Sequence, residues 1–203
     1  MSTGSKPRGA VAMAPEFTWL NPPPVWSGDA AALSLETGET TDFWRETFYG
    51  FVRDSGHAWL APVKGDFTAR LAVTGRYSAL YDQAGMMLRC GETCWIKAGI
   101  EFTDGLMHFS TVVSAPRSDW SVIPLPEATP ETVVGVRITR HGDAVRVQYA
   151  LDGGAWRMAR LCPFPEGPAE VGPMACSPTR AGFVAHFKDV AIGPPIARDL
   201  HES

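Results

Sequence analysis

The sequence predicts an all-β fold: two antiparallel sheets packed face to face as a jelly-roll β-sandwich. Three observations carry this. Apolar and polar residues alternate with period two through most of the chain interior. Short segments rich in Gly and Asp punctuate the alternating runs. Helical spacing is confined to one short stretch. A chain of 203 residues suits a single domain and is long enough to bury a substantial core.

Taken in order, residues 1–14 read as a tail, small and polar. "NPPPVW" (21–26) is a stiff, extended connector. "TDFWRETF" (41–48) is the one helical candidate, with Thr41 or Asp42 as its cap. In "RDSGHAWL" (53–60), Asp54 and Gly56 are turn formers and His57 reads as a surface or hydrogen-bonded imidazole rather than a catalyst. "DFTARLAVT" (66–74) alternates, with Phe67, Ala69, Leu71 and Val73 on one face.

Residues 81–105, "YDQAGMMLRCGETCWIKAGIEFTDG", read as two strands around a turn at "GET". Ile96, Ala98, Ile100 and Phe102 form the apolar face of the second strand. "LMHFSTVVS" (106–114) follows after "TDG", with Met107, Phe109, Thr111 and Val113 alternating against His108, Ser110 and Val112. Residues 133–161 form a three-stranded meander turning at "HGD" and "DGG", its inward set including Val134, Val136, Ile138, Val145, Val147, Tyr149 and Leu151. The domain spans 15–193, and "GPPIARDLHES" leads into a polar C-terminal tail over 194–203.

A net charge of −4 without any Lys/Arg cluster gives no electrostatic reason to expect nucleic acid or an anionic membrane as partner. No apolar run approaches the roughly 20 residues of a membrane-spanning helix, and none marks a signal peptide, so a cytoplasmic location is expected. Cys90, Cys94, Cys162 and Cys176 supply only one loose pair, short of the two paired knuckles typical of zinc. They read as reduced thiols, with an oxidised Cys90–Cys94 pair as the alternative. Asn21 is the only Asn, which argues against a loop-built calcium site. No metal and no cofactor are expected.

If Ile96, Ala98, Ile100 and Phe102 enter the core, then Trp95, Lys97, Gly99 and Glu101 point the other way. Adjacent strands add His108 and Ser110 on one side, Arg89 and Gln83 on the other. Such a patch suits a sugar: an indole packs on the C–H face of a pyranose, and charged groups bond its hydroxyls. Gly99 would leave room for the ligand. "SDWS" (118–121) brings Asp119 and Trp120 as candidates for the rim. The alternative stays open: Lys97 and Glu101 as a same-strand ion pair on an open face worth about 0–1 kcal/mol, Trp95 covering the sheet edge or packed under a loop, Trp120 packed down on the sandwich, Asp119 as a turn former, and Gly99 as a bulge.

The set "FWRETFYGF" (43–51), "GDF" (65–67), "YDQAGMMLR" (81–89), "WIKAGIEFTDG" (95–105), "HFSTVVS" (108–114) and "SDWS" (118–121) resembles the DUF1349 family, related to the fungal regulation-of-enolase protein. The resemblance continues through "YALDGGAW" (149–156), "FPEG" (164–167), "VGPMACSP" (171–178) and "GFVAHFKD" (182–189). It implies two curved sheets similar to concanavalin A-like lectins and glucanases, with carbohydrate on the concave face. Related glucanases carry two or three acids on one strand; here Glu101 stands with Lys97 instead, leaving Asp119 or Asp82 as second carboxyl. A retaining pair would lie about 5–5.5 Å apart. Three functions therefore compete: non-catalytic binding of a carbohydrate or small polar ligand, regulation or scaffolding of a metabolic enzyme, and glycoside hydrolysis by Glu101.

Overall fold

The computed structural model describes residues 15–200; the tail expected over 1–14 and residues 201–203 lie outside the described residues. Two seven-stranded sheets dominate. The first runs β1 (Thr18–Leu20), β6 (His57–Val63), β15 (Ala169–Cys176), β8 (Gln83–Gly91), β9 (Cys94–Thr103), β10 (Leu106–Ser114) and β11 (Ser118–Pro124). The second runs β14 (Arg157–Pro163), β13 (Ala144–Leu151), β12 (Val134–His141), β7 (Phe67–Gly75), β16 (Val184–Gly193), β3 (Ala32–Glu36) and β2 (Val25–Gly28). All their ladders are antiparallel. The chain is an all-β sandwich.

Strand parity places the core. Ile96, Ala98 and Ile100 of β9 join Met86 and Leu88 of β8 and Phe109 of β10 between the sheets, facing Leu71, Val136 and Val147 of the second sheet. Phe102 packs against this cluster from its margin. The layers meet where the Phe109 ring stacks on Tyr149, centroids 4.7 Å apart. The expected meander is β12–β13–β14. Each fully buried Leu or Phe contributes roughly 1.5–3 kcal/mol of transfer free energy, so the period-two pattern is also the main source of stability. Beyond β16 the chain stays attached, with Arg146 donating to the carbonyls of Ala197 and Asp199.

Two expectations need correction. The helix expected over 41–48 is absent: β4 (Phe43–Arg45) pairs with β5 (Val52–Asp54) as a separate two-stranded flap. Glu46 and Phe48 take positive φ, 58° and 63°, which a right-handed helix does not tolerate. One isolated helical turn is a costly nucleus, and the flap instead buries Phe43 and Trp44. Thr41 bonds to the backbone of Ser177 rather than capping.

The second correction concerns Gly99, which pairs with Gly85 across β8 and β9 with no register shift at that point. A Cβ on Gly99 would lie 2.3 Å from the Ala84 carbonyl oxygen and 2.5 Å from the Gly85 Cα. Close approach of two backbones, rather than space for a ligand or a bulge, is what requires glycine here.

Candidate functional site

The outer face of the first sheet is where β9 sends its odd-numbered residues. It carries a second hydrophobic cluster, separate from the interlayer core: Met87, Trp95, Val112, Met174 and Cys176 from the sheet, capped by Phe43 and Trp44 of the flap. The flap is tied down at several points. The backbone N–H of Arg45 donates to Ser118 Oγ at 2.9 Å, and its Nε donates to the Pro116 carbonyl. Arg89 of β8 grips Asp54 of β5 with two bonds of 2.8 and 2.7 Å.

One end of this face stays open as a cavity of about 250 Å³ between flap and sheet. Its floor is polar and buried. Lys97 Nζ donates to Asp42 Oδ1 at 2.9 Å and to Gln83 Oε1 at 2.8 Å. Lys97 is 3 % and Glu101 2 % exposed. Burial alone pulls the Lys97 ammonium down, but the charges of Asp42 and Glu101 and the Asp42 hydrogen bond outweigh it, and it is held above its ordinary value. Burial pushes the Glu101 carboxyl up, against Lys97, the Ser110 hydrogen bond and His108. Gln83 and His108 flank Glu101 directly on the neighbouring strands.

The walls are aromatic. Trp44 and Tyr49 come from the flap, Tyr81 from the segment before β8, and Trp120 from β11. Trp120 Nε1 donates to Ser110 Oγ at 3.1 Å and Trp44 Nε1 to the Thr47 carbonyl at 2.9 Å, so both indole N–H groups are satisfied. Tyr81 has a positive φ of 65°, an uncommon conformation for a bulky residue. The hydrogen bond to Tyr49, then burial and the nearby charges of Glu101 and Asp104, push its hydroxyl up to about 12.

The residues singled out from sequence divide between this cavity and other duties. Lys97, Glu101, Gln83 and Trp120 line the cavity; Ser110 and His108 support it from β10. Trp95 does not line it: the indole is fully buried under the flap, 6.2 Å from the Phe43 ring, with Nε1 donating to the Glu92 carbonyl. It is a packing residue, not an open platform for stacking. Arg89 is engaged by Asp54. Asp82 is fully buried, bonded to Arg180 and to the backbone N–H groups of Ser78 and Ala79. Asp119 is exposed and paired with Arg160 of the second sheet at 2.6 Å. Neither acid lines the cavity.

Asp42, Trp44, Tyr49, Tyr81 and Arg53 line the cavity and escaped the sequence reading. The aromatic density of "FWRETFYGF" is a sequence signal for Trp44 and Tyr49 alone, and its spacing fits a helical turn as well as a hairpin; nothing local marks Asp42, Arg53 or Tyr81. Among the described residues no group of three or more His, Cys, Asp or Glu is arranged to hold a metal. Cys90 and Cys94 are free thiols, away from the site.

A family model described as a protein of unknown function, DUF1349, matches residues 19–195. The chain is 42% identical over 186 residues to Regulation of enolase protein 1 of Saccharomyces cerevisiae, covering 91% of this chain and 93% of the relative. A crystal structure of a functionally unknown S. cerevisiae protein superposes with a TM-score of 0.85 at 42% identity, over 89% of this chain and 97% of that one. A bifunctional GH43-CE protein of Bacteroides eggerthii superposes with a TM-score of 0.65 at 18% identity, over 95% of this chain and 25% of that one, a likeness of fold alone.

Proposed function

The chain belongs to the DUF1349 family, and from that premise and the cavity geometry we propose that it binds a small polar ligand without transforming it. One observation carries the reading: a floor of buried Lys97, Glu101 and Gln83 with half-buried Asp42 opens upward between aromatic rings, of which Tyr49, Tyr81 and Trp120 are partly exposed. Burying such groups is unfavourable unless they are paired, and an apolar-walled cleft with a few convergent polar groups is the usual form of a small-molecule site. Carbohydrate is one ligand class that suits rings above hydrogen-bonding groups.

Binding is favoured over hydrolysis because every candidate for a second carboxyl is committed. Asp42 is held by Lys97, Asp82 by Arg180 and Asp119 by Arg160. The name of the S. cerevisiae relative supports a regulatory role. A ligand-responsive pocket under a flap gives such a role a physical basis, since a ligand binding one state shifts the population toward it.

The test is thermal denaturation of the purified protein against a panel of monosaccharides, uronates and small zwitterions, with reducing-sugar release measured in parallel. The expected result is a saturable rise in Tm with one class, lost in Trp120→Ala, and no product. Turnover of a glycoside that disappears in Glu101→Gln would replace this reading with the hydrolase.

A further inference from the structure

The four aromatic walls are arranged as a box. Trp44 meets Tyr49 at 5.6 Å between centroids and 71° between planes. Trp44 meets Trp120 at 6.4 Å and 87°. Trp120 meets Tyr81 at 6.3 Å and 79°. The Tyr81 and Tyr49 hydroxyls close the ring at 3.3 Å. Three consecutive corners near a right angle are poor for a flat sugar face, which wants one broad platform. They suit a compact, roughly spherical group touched by several ring faces at once.

The charges beneath the box point the same way. Lys97 is neutralised by Asp42. Glu101 is 2 % exposed, yet among the described residues it is in no salt bridge. It is a buried carboxyl bonded to Ser110 and felt by Lys97 and His108, but with no ion pair of its own because Lys97 is bonded to Asp42, and buried charges are ordinarily paired. Its influence reaches the box, where its charge raises the Tyr81 hydroxyl. Arg53 lines the same cavity and forms no ion pair among the described residues; its guanidinium lies 5.4 Å from the Phe51 ring.

We propose that the cavity takes a zwitterion bearing an N-methylated ammonium, which sits in the box of Trp44, Tyr49, Tyr81 and Trp120 above Glu101 while its anionic end meets Arg53. Aromatic faces attract a desolvated cation through the ring quadrupole. A methylated ammonium sheds its weakly held water easily and fills the box with methyl groups, whereas a primary ammonium would lose hydrogen bonds the rings cannot replace. The inference rests on the ligand-binding reading above and specifies the ligand for it.

The decisive comparison is calorimetric titration of the full chain with glycine betaine, γ-butyrobetaine and 3,3-dimethylbutanoate. The last is the carbon isostere of glycine betaine, with the same shape and carboxylate and no positive charge. At least one betaine should bind, and 3,3-dimethylbutanoate should bind at least tenfold more weakly than glycine betaine. Trp120→Ala and Glu101→Gln should each weaken betaine binding tenfold or more, and Arg53→Gln should weaken a betaine more than it weakens choline. Equal affinity for betaine and its isostere overturns the proposal, because the box would then be reading shape alone. Saturable binding of a monosaccharide with none of either betaine overturns it too, and leaves the ligand-binding reading standing. Absence of binding by every compound in both panels removes both.

Discussion

Lys97 and Asp42 lie fifty-five residues apart in the chain and meet at 2.9 Å on the outer face of the first sheet. Their side chains are 4 % and 15 % exposed. Breaking such a pair on one side leaves a buried charge unmatched, at about 3–5 kcal/mol. Asp42→Ala should therefore destabilise the protein by about that amount, since Gln83 alone cannot neutralise the ammonium. The double substitution Asp42→Leu with Lys97→Met should recover most of the loss. Urea denaturation of the wild type, Asp42→Leu, Lys97→Met and the double variant measures the coupling; additive losses would show that the pair acts as two independent groups.

Trp95 and Trp120 should separate packing from binding. Trp95→Ala empties a fully buried site and should lower stability by about 3–5 kcal/mol. Trp120 is 39 % exposed, and Trp120→Ala should change stability far less while removing ligand-induced stabilisation. Denaturation midpoints with and without ligand decide this.

Glu101 should reduce stability at neutral pH. Its carboxyl sits above the ordinary value in the folded state, chiefly through burial. A group raised in the folded state contributes stability below its unfolded value, near 4.5, and that contribution is lost as pH rises through the folded value. Glu101→Gln, a neutral isostere, should raise the denaturation midpoint at pH 7 and erase this part of the pH dependence. A gain in stability with a loss of binding is the expected mark of a functional residue.

His57 has the opposite dependence. Gly38 N–H donates to Nε2 at 2.9 Å, so Nδ1 carries the proton and donates to the Asn21 carbonyl at 2.6 Å. Burial is the larger influence and holds the imidazole below its ordinary 6.5. Between the folded and unfolded values the unfolded chain binds more protons, so stability falls as pH drops below about 6.5 toward the folded value. His57→Gln should flatten that slope in denaturation curves recorded across pH 5–7.5.

Gly99→Ala should destabilise by about 1–3 kcal/mol, the usual range for overpacking. The added methyl group meets backbone atoms of β8, which cannot rotate away. A neutral outcome would mean that β8 and β9 separate without loss of their ladder.

Parity along β9 was legible because a pleated strand imposes it residue by residue: Ile96, Ala98 and Ile100 alternate with Lys97 and Glu101 whatever surrounds them. The same local rule exposed the β12–β13–β14 meander and the family motifs. It could say which face Trp95 occupied, not whether that face was covered. The flap that buries Trp95 lies far upstream, and its aromatic run fits a helical turn as readily as a hairpin.

The amino-acid sequence by itself determined the two-layer sandwich, its core and the face on which a polar row would stand, because alternation and turn chemistry act over a few residues. Tertiary structure alone decided that Asp42 would neutralise Lys97, that Asp82 and Asp119 would be occupied elsewhere, and that four rings from three segments would close a box over Glu101. Those outcomes depend on where distant loops land, and no local period records that.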